Sequence, residues 1–258
     1  MNLKIGVHAL TSCYGCQLKM ASIKEIIDVA RRFDIRYWNM ISSKGEIEDV
    51  DIAFVEGSVT TNEDEEELRI VRENADILIA VGSCAIYGGV QGILFGEEYD
   101  KVFKEVYGDK KIEYEAGISS PIKNFVEVDY NLPGCPPEEE EIIYYLATFA
   151  LGSYPEEKDY PVCSECRRNG YPCVLIEKNG CCLGPLTVAG CNARCLKYGV
   201  SCIGCRGALK DIAWFDSLAK TFKEKNIDEK YVKSRMEIFG KQYERMEDML
   251  KKVFENED

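Results

Sequence analysis

The stretch ADILIAVGSC, residues 75–84, decides the fold. From Ile77 to Val81 it is unbroken apolar and rich in β-branched residues, and it stops on Gly82 and Ser83. A strand with one face in water alternates apolar and polar residues. One covered on both faces does not, and such strands belong to parallel sheets packed between helices. The neighbours fit that reading. An acidic helix is expected from Asn62 to about Asn74, and VDIAFVEGSV (50–59) reads as the strand before it. Further upstream stand LKIGVHAL (3–10), a helix from Gln17 to Phe33, and DIRYWNMI (34–41) as a strand. Downstream come a helix from about Glu97 to Tyr107 and a fifth strand in NFVEVDYNL (124–132). Pro136 and Pro137 then open a helix over EEEEIIYYLATFALGS (138–153), with acids in its first turn where the helix dipole favours them. The alternation predicts an α/β domain over residues 1–152, with a flavodoxin-like parallel sheet in three layers.

From residue 153 to about 210 the periodicity is lost and glycine, proline and cysteine dominate. Such a segment has little core of its own and is expected to fold around metal. Beyond about Asp211 helices return. Asp228 reads as an N-cap, and Tyr231, Arg235/Met236, Phe239, Tyr243, Met246, Leu250 and Val253 form an amphipathic packing stripe. Residues 153–258 are therefore a second domain, closed by C-terminal helices.

Charge and composition narrow the function. A formal net charge of −13 excludes a nucleic-acid binder. No apolar run approaches the ~20 residues of a membrane span, so no membrane partner is expected. The start Met1-Asn2-Leu3-Lys4-Ile5 enters a strand directly, without an export signal or twin arginine, and a cytoplasmic location is expected. Thirteen cysteines in a reducing compartment argue for metal over disulfides, hyperthermophile proteins being the exception to that rule. His8 is the lone histidine, so mixed cysteine–histidine sites are excluded as the general solution. It reads as a satisfied strand residue and not as a proton carrier. Trp38 and Trp214 read as core or interface aromatics.

Four cysteines fall after predicted strands: Cys13 and Cys16 after the first, Cys84 after the fourth, Cys135 after the fifth. In an open parallel sheet these loops gather along the carboxyl edge, where ligands bind. Four thiolates from there match one 4Fe–4S cluster, and a helix N-terminus following Cys13 and Cys16 would favour thiolate. Taken singly, a C-x-x-C pair could be a redox dithiol or half a zinc site, and Cys84 or Cys135 a buried core thiol. The other nine are Cys163, Cys166, Cys173, Cys181, Cys182, Cys191, Cys195, Cys202 and Cys205. Two C-x-x-C pairs bracket a C-x3-C pair there, enough for two further sites. Spacing leaves iron–sulfur clusters and four-cysteine zinc both open. From Pro161 to Lys210 seven basic and two acidic residues give a local +5, leaving −18 for the rest. That suits anionic thiolate sites of either metal.

The ordered motifs resemble a known family. The first C-x-x-C, VEGSV (55–59), GSCAIYGG (82–89), PGCPP (133–137), CLGPLT (182–187) and CIGC (202–205) are similar to those of the small, electron-transferring subunit of NiFe hydrogenases. The match runs from about Leu3 to Trp214. TSCYGCQL, CNARC and CIGCRGA place it nearest the cytosolic archaeal branch, and there nearest the delta subunit of sulfhydrogenases; the deazaflavin-reducing and heterodisulfide-linked hydrogenases of methanogens are the alternative within that branch.

The resemblance implies three 4Fe–4S clusters and an iron–sulfur domain over 153–258. The proximal ligands would be Cys13, Cys16, Cys84 and Cys135, the distal ones Cys163, Cys166, Cys173 and Cys182, and the medial ones Cys191, Cys195, Cys202 and Cys205. Many relatives carry proline at the place of Cys195 and hold a 3Fe–4S cluster; cysteine implies 4Fe–4S here. The C-x-G-P pattern selects Cys182 over Cys181 as ligand. Ser12 stands where many small subunits have glutamate, so their proton route is not carried over. The implied partners are a large subunit bearing the NiFe centre, where hydrogen is split, and flavin and iron–sulfur subunits that reduce NADP or polysulfide. No catalytic residue is expected in this chain. Glu56 reads as an interface residue or a structural hydrogen-bond partner.

Overall fold

In the computed structural model, which describes residues 2–24, 31–41, 49–94, 99–110, 117–210, 214–239 and 254, the chain divides into two compact units, Met1–Pro155 and Glu156–Asp258. The first is built on five parallel strands: β1 (Leu3–Ala9), β2 (Phe33–Trp38), β3 (Val50–Glu56), β4 (Ala75–Val81) and β5 (Tyr130–Leu132), in the order β2-β1-β3-β4-β5. This is the flavodoxin-like order, and its switch point lies between β1 and β3. The register there pairs Val7 with Phe54 and Ala9 with Glu56, so both strands end level.

β3 and β4 are buried on both faces. Ile52, Phe54, Ile79 and Val81 pack with Met20 of helix α1 (Gly15–Ala21) and with Ile142, Leu146 and Phe149 of a later helix. Ala53, Val55, Leu78 and Ala80 pack the other way, onto Leu68 and Val71 of α2 (Asn62–Glu73). Each such side chain taken wholly out of water contributes about 1.5–3 kcal/mol, which is why this pair of strands reads as unbroken apolar sequence. Among the described residues three further helices belong to this unit: α3 (Gly82–Tyr87), α4 (Tyr99–Tyr107) and α5 (Glu139–Ala150).

Two boundaries differ from expectation. The expected strand over 124–132 shrinks to Tyr130–Leu132, preceded by a 3-10 turn at Ile122–Asn124. Asp129 replaces the ladder: its carboxylate accepts the Leu78 N–H at 2.7 Å and pairs with Arg72 at 2.6 Å. The helix expected from Gln17 to Phe33 runs from Gly15 to Ala21, and residues 25–30 lie outside the described ones.

The second unit has short helices between long loops: α6 (Val162–Arg168), α7 (Val174–Lys178), α8 (Arg194–Lys197), α9 (Phe215–Glu224) and α10 (Glu229–Met236). Its core joins Val162, Leu183, Leu186, Phe215 and Phe222 to Cys166, Cys182 and Cys202. Sulfur is part of the packing, because the apolar side chains between 160 and 210 are few. Asp228 caps α10, its carboxylate accepting the Tyr231 N–H at 3.0 Å. Along the stripe that follows, Val232, Met236 and Phe239 are buried, whereas Tyr231 is exposed. Tyr243, Met246, Leu250 and Val253 lie outside the described residues. Among the described residues no helix is long and apolar enough to cross a membrane.

Candidate metal centres

In the first unit the loops after β1, β4 and β5 meet around Gly82. The Ser83 N–H donates to the Gly134 carbonyl at 2.9 Å, which ties the start of α3 to the loop carrying Cys135. A Cβ on Gly82 would run into Cys16 Sγ and stand 3.4 Å from the Gly134 carbonyl oxygen. Gly82 has φ +81°, which L side chains rarely adopt, so the position is closed twice over to any larger residue. A Cβ on Gly89, at φ +65°, would stand 2.5 Å from Cys84 Sγ. These glycines keep free the space beside the two sulfurs.

Cys16, Cys84 and Cys135 interact with one another electrostatically here, and Cys13 with Cys84 and Cys135. Burial raises Cys16 well above the usual thiol range, and the charges of Glu56, Cys84 and Cys135 raise it further. Burial also pushes Cys84 up to about 12, with Cys135 and Cys13 adding to it. Cys135 is raised by burial and then by Cys13. Helix α1 starts at Gly15, so Cys16 lies in its first turn, with Glu56 behind it. A bound cation would offset the repulsion among these thiolates.

The loops are held from behind by acids. Glu56 ends β3, and its carboxylate accepts the N–H of Cys16 at 3.0 Å and of Gln17 at 2.9 Å. These donors sit in the first turn of α1, where a helix has no partners of its own. Glu56 is thus a hydrogen-bond partner of the α1 backbone. Asp64 accepts from Thr11 N–H and Oγ1–H, and from the N–H groups of Thr60 and Thr61, at 2.8–3.0 Å. Burial raises its pKa, but these bonds outweigh it and the net shift is downward. Gln91 Nε2 donates to the Thr11 carbonyl at 2.8 Å and to Ser58 Oγ at 2.6 Å. Asp64 and Gln91 were not legible as site-building residues: each acts on backbone far away in sequence.

His8 is 1% exposed and stacks on Tyr37 at 4.6 Å, and its Nδ1 has no partner among the described residues. It is a buried strand residue, but not a satisfied one. Trp38 is a core residue, and Trp214 is partly exposed and donates from Nε1 to the Pro185 carbonyl at 3.1 Å.

In the second unit Cys163, Cys166, Cys173 and Cys182 form one mutual group. Burial pushes Cys163 up to about 12, and Cys182, Cys166 and Cys173 add to it. Cys166 is raised by burial, then by Cys182 and Cys173. A Cβ on Gly184 would stand 3.5 Å from both Cys163 Sγ and Cys182 Sγ. Cys182 Sγ accepts the Cys202 N–H at 3.4 Å. Its neighbour Cys181 is also buried, and burial pushes it up to about 11, with Arg235 lowering it and Cys182 raising it.

Cys191, Cys195, Cys202 and Cys205 are less convergent. Cys202 is raised by burial, and by Cys182 ahead of Cys205. Burial raises Cys191, while the Arg194 N–H and then Arg206 lower it and Glu165 raises it. All thirteen cysteines stand unbridged. Among the described residues no three His, Cys, Asp or Glu side chains are set to hold a single metal ion. The donor sets of soft sulfur, with glycines clearing the space beside them, fit iron–sulfur groups.

Residues 13–149 match the family described as NADH ubiquinone oxidoreductase, 20 Kd subunit. The chain is 42% identical to sulfhydrogenase 2 subunit delta of Pyrococcus furiosus over 81% of its own length and 88% of that protein. It is 32% identical to a subunit of the F420-non-reducing hydrogenase vhu of Methanocaldococcus jannaschii, over 80% of this chain and 82% of that one. A chain of the NAD+-reducing [NiFe]-hydrogenase in its H2-reduced state superposes with a TM-score of 0.54 at 29% identity, covering 60% of this chain and 95% of that chain. The fold recurs in the [NiFeSe] hydrogenase of Desulfovibrio Vulgaris Hildenborough, with a TM-score of 0.52 at 17% identity over 80% of this chain and 93% of that chain. With the carboxyl-edge cysteines, the doubly wound sheet and these relatives in agreement, the chain belongs to the small, electron-transferring subunits of the NiFe hydrogenases, whose catalytic centre resides in the large subunit.

Proposed function

We propose that this chain holds three 4Fe–4S clusters and, in the cytoplasm, relays electrons between the NiFe site of its large subunit and flavin and iron–sulfur partner subunits. The observation that carries this reading is the pair of mutually interacting thiol quartets: Cys13, Cys16, Cys84 and Cys135 in one unit, and Cys163, Cys166, Cys173 and Cys182 in the other. The first is the proximal set and the second the distal one. Cys191, Cys195, Cys202 and Cys205 make the medial set, supported by the burial of Cys202 and by Arg206, whose charge favours the Cys191 thiolate.

Cubane clusters supply one-electron carriers whose potentials follow burial, net charge and hydrogen bonds to sulfur. This chain's own contribution is of that kind. The Cys202 N–H points at the Cys182 sulfur, and Gly82, Gly89 and Gly184 clear space beside sulfurs in both units. Cys182 is the ligand of the adjacent pair, a choice supported by its interactions with Cys163, Cys173 and Cys202, while Cys181 is influenced chiefly by the charge of Arg235.

NADP or polysulfide is the terminal acceptor that the resemblance to sulfhydrogenase delta subunits implies. The identity to part of an F420-non-reducing hydrogenase supports the heterodisulfide-linked reading as the alternative.

Anaerobic metal and sulfide analysis of the native complex tests the proposal. Three cubanes require about twelve irons with matching sulfide per chain and a brown colour. A four-cysteine zinc module would be colourless with stoichiometric zinc, and that result would end the relay reading.

A further inference from the structure

The loop carrying Cys191 has a backbone that short-range forces do not favour. Gly190 has φ +129°, Asn192 φ +52° and Ala193 φ +52°. Left-handed residues other than glycine cost about 1–3 kcal/mol each unless their surroundings impose them, and Ala193 has no polar side chain to help. Here the surroundings come largely from one carboxylate. Glu165 lies in α6, inside the Cys163/Cys166 pair, and is 8% exposed. Its Oε1 accepts the Gly190 N–H at 2.9 Å and its Oε2 the Ala193 N–H at 3.2 Å, so the two oxygens straddle Cys191. Asn169, just past α6, adds a bond from Nδ2 to Asn192 Oδ1 at 2.7 Å. Arg206, 1% exposed, donates from Nε to the carbonyls of Val188 and Ala189 at 3.1 and 2.9 Å, at the loop's entry.

We infer that Glu165 is a positioning residue for the medial cluster: from within the distal Cys163/Cys166 pair it holds the Cys191 loop in the one shape that presents its thiolate. The inference rests on the cluster assignment proposed above. One consequence is that the two sites of this unit are not assembled independently, since the helix bearing two ligands of one supplies the clamp of the other. A second is that the Glu165 charge stands beside the medial ligand, opposing Arg206.

The test compares Glu165→Ala, Glu165→Gln, Cys191→Ser and Cys163→Ser with the wild type, all as the intact, anaerobically purified complex. Iron content, electron paramagnetic resonance and redox titration are read for each. Glu165→Ala should reproduce Cys191→Ser: up to one cluster lost per chain, or a 3Fe–4S signal where a cubane has shed the iron facing a missing thiolate. Glu165→Gln keeps one acceptor and removes the charge. It should retain its iron and shift the midpoint of the signal that Cys191→Ser abolishes, leaving the proximal midpoint in place. Wild-type iron and spectra in Glu165→Ala would overturn the inference, as would a phenotype matching Cys163→Ser. If Glu165→Ala is not recovered in the complex, Glu165→Gln decides, and an unshifted midpoint overturns. An iron-free wild type would instead strike down the underlying cluster assignment, before any variant is compared.

Discussion

Glu56 at the end of β3 accepts the backbone N–H of Cys16 at 3.0 Å, across forty residues of chain. The bond crosses the switch point of the sheet and joins the strand that ends in VEGS to the helix that begins at the first C-x-x-C. Because the second oxygen takes the Gln17 N–H at 2.9 Å, one side chain satisfies two of the orphan donors of α1. Glu56→Ala leaves both buried without partners. An unsatisfied buried donor costs about 1–3 kcal/mol, so the full chain should lose about 2–6 kcal/mol in urea unfolding. An unchanged midpoint would mean that water replaces the carboxylate at no cost.

Gly82 makes a sharper test of the proximal site, because conformation and space can be separated. Gly82→Ala meets both an unfavourable φ of +81° and the sulfur of Cys16. Gly152→Ala meets a φ of +68° with nothing within 4 Å of the new methyl group. Both lose about 1–2 kcal/mol from the left-handed backbone. Only Gly82→Ala should lose iron as well, falling from about twelve per chain toward about eight. Equal iron in the two variants would show that Gly82 is only a turn.

The strands were legible because β3 and β4 are covered on both faces and so read as apolar runs. The cysteines were legible because they follow those strands and keep short spacings. What could not be read is the layer that holds the loops. Glu56, Asp64 and Glu165 act on main-chain N–H groups distant in sequence, which carry no residue identity, so those recipients leave no mark in sequence. The short β5 was overread for a related reason: Asp129 supplies by side chain the bond that a longer strand would have made by backbone.

His8 gives a pH dependence with a definite sign. Burial lowers its pKa from 6.5 to about 4. The unfolded chain therefore binds a proton between those values that the folded chain does not. Stability is full above pH 6.5 and falls as the pH drops toward 4. Between pH 7 and pH 5 the loss is about 2 kcal/mol. His8→Phe preserves an aromatic ring against Tyr37 and removes the titration. Urea midpoints at the two pH values should differ less in the variant than in the wild type by that amount. Parallel losses in both would assign the acid sensitivity to other groups.

The adjacent cysteines offer the last discrimination. Both are buried, so both substitutions to serine place a hydroxyl in an apolar setting and carry a similar folding cost of about 1–2 kcal/mol. They differ in company. Cys182 stands among Cys163, Cys173 and Cys202 and takes the Cys202 N–H on its sulfur. Cys181 is influenced by the charge of Arg235 ahead of that of Cys182. Thermal unfolding should therefore shift further for Cys182→Ser, which also loses a cluster that this unit folds around, and iron and sulfide should fall only for Cys182→Ser, by up to one cluster per chain. The opposite pattern would move the ligand to Cys181 and require the loop from Gly180 to Leu183 to turn over when iron binds. A loss in both would mean that the pair acts as one element, with Cys181 supporting its neighbour through packing.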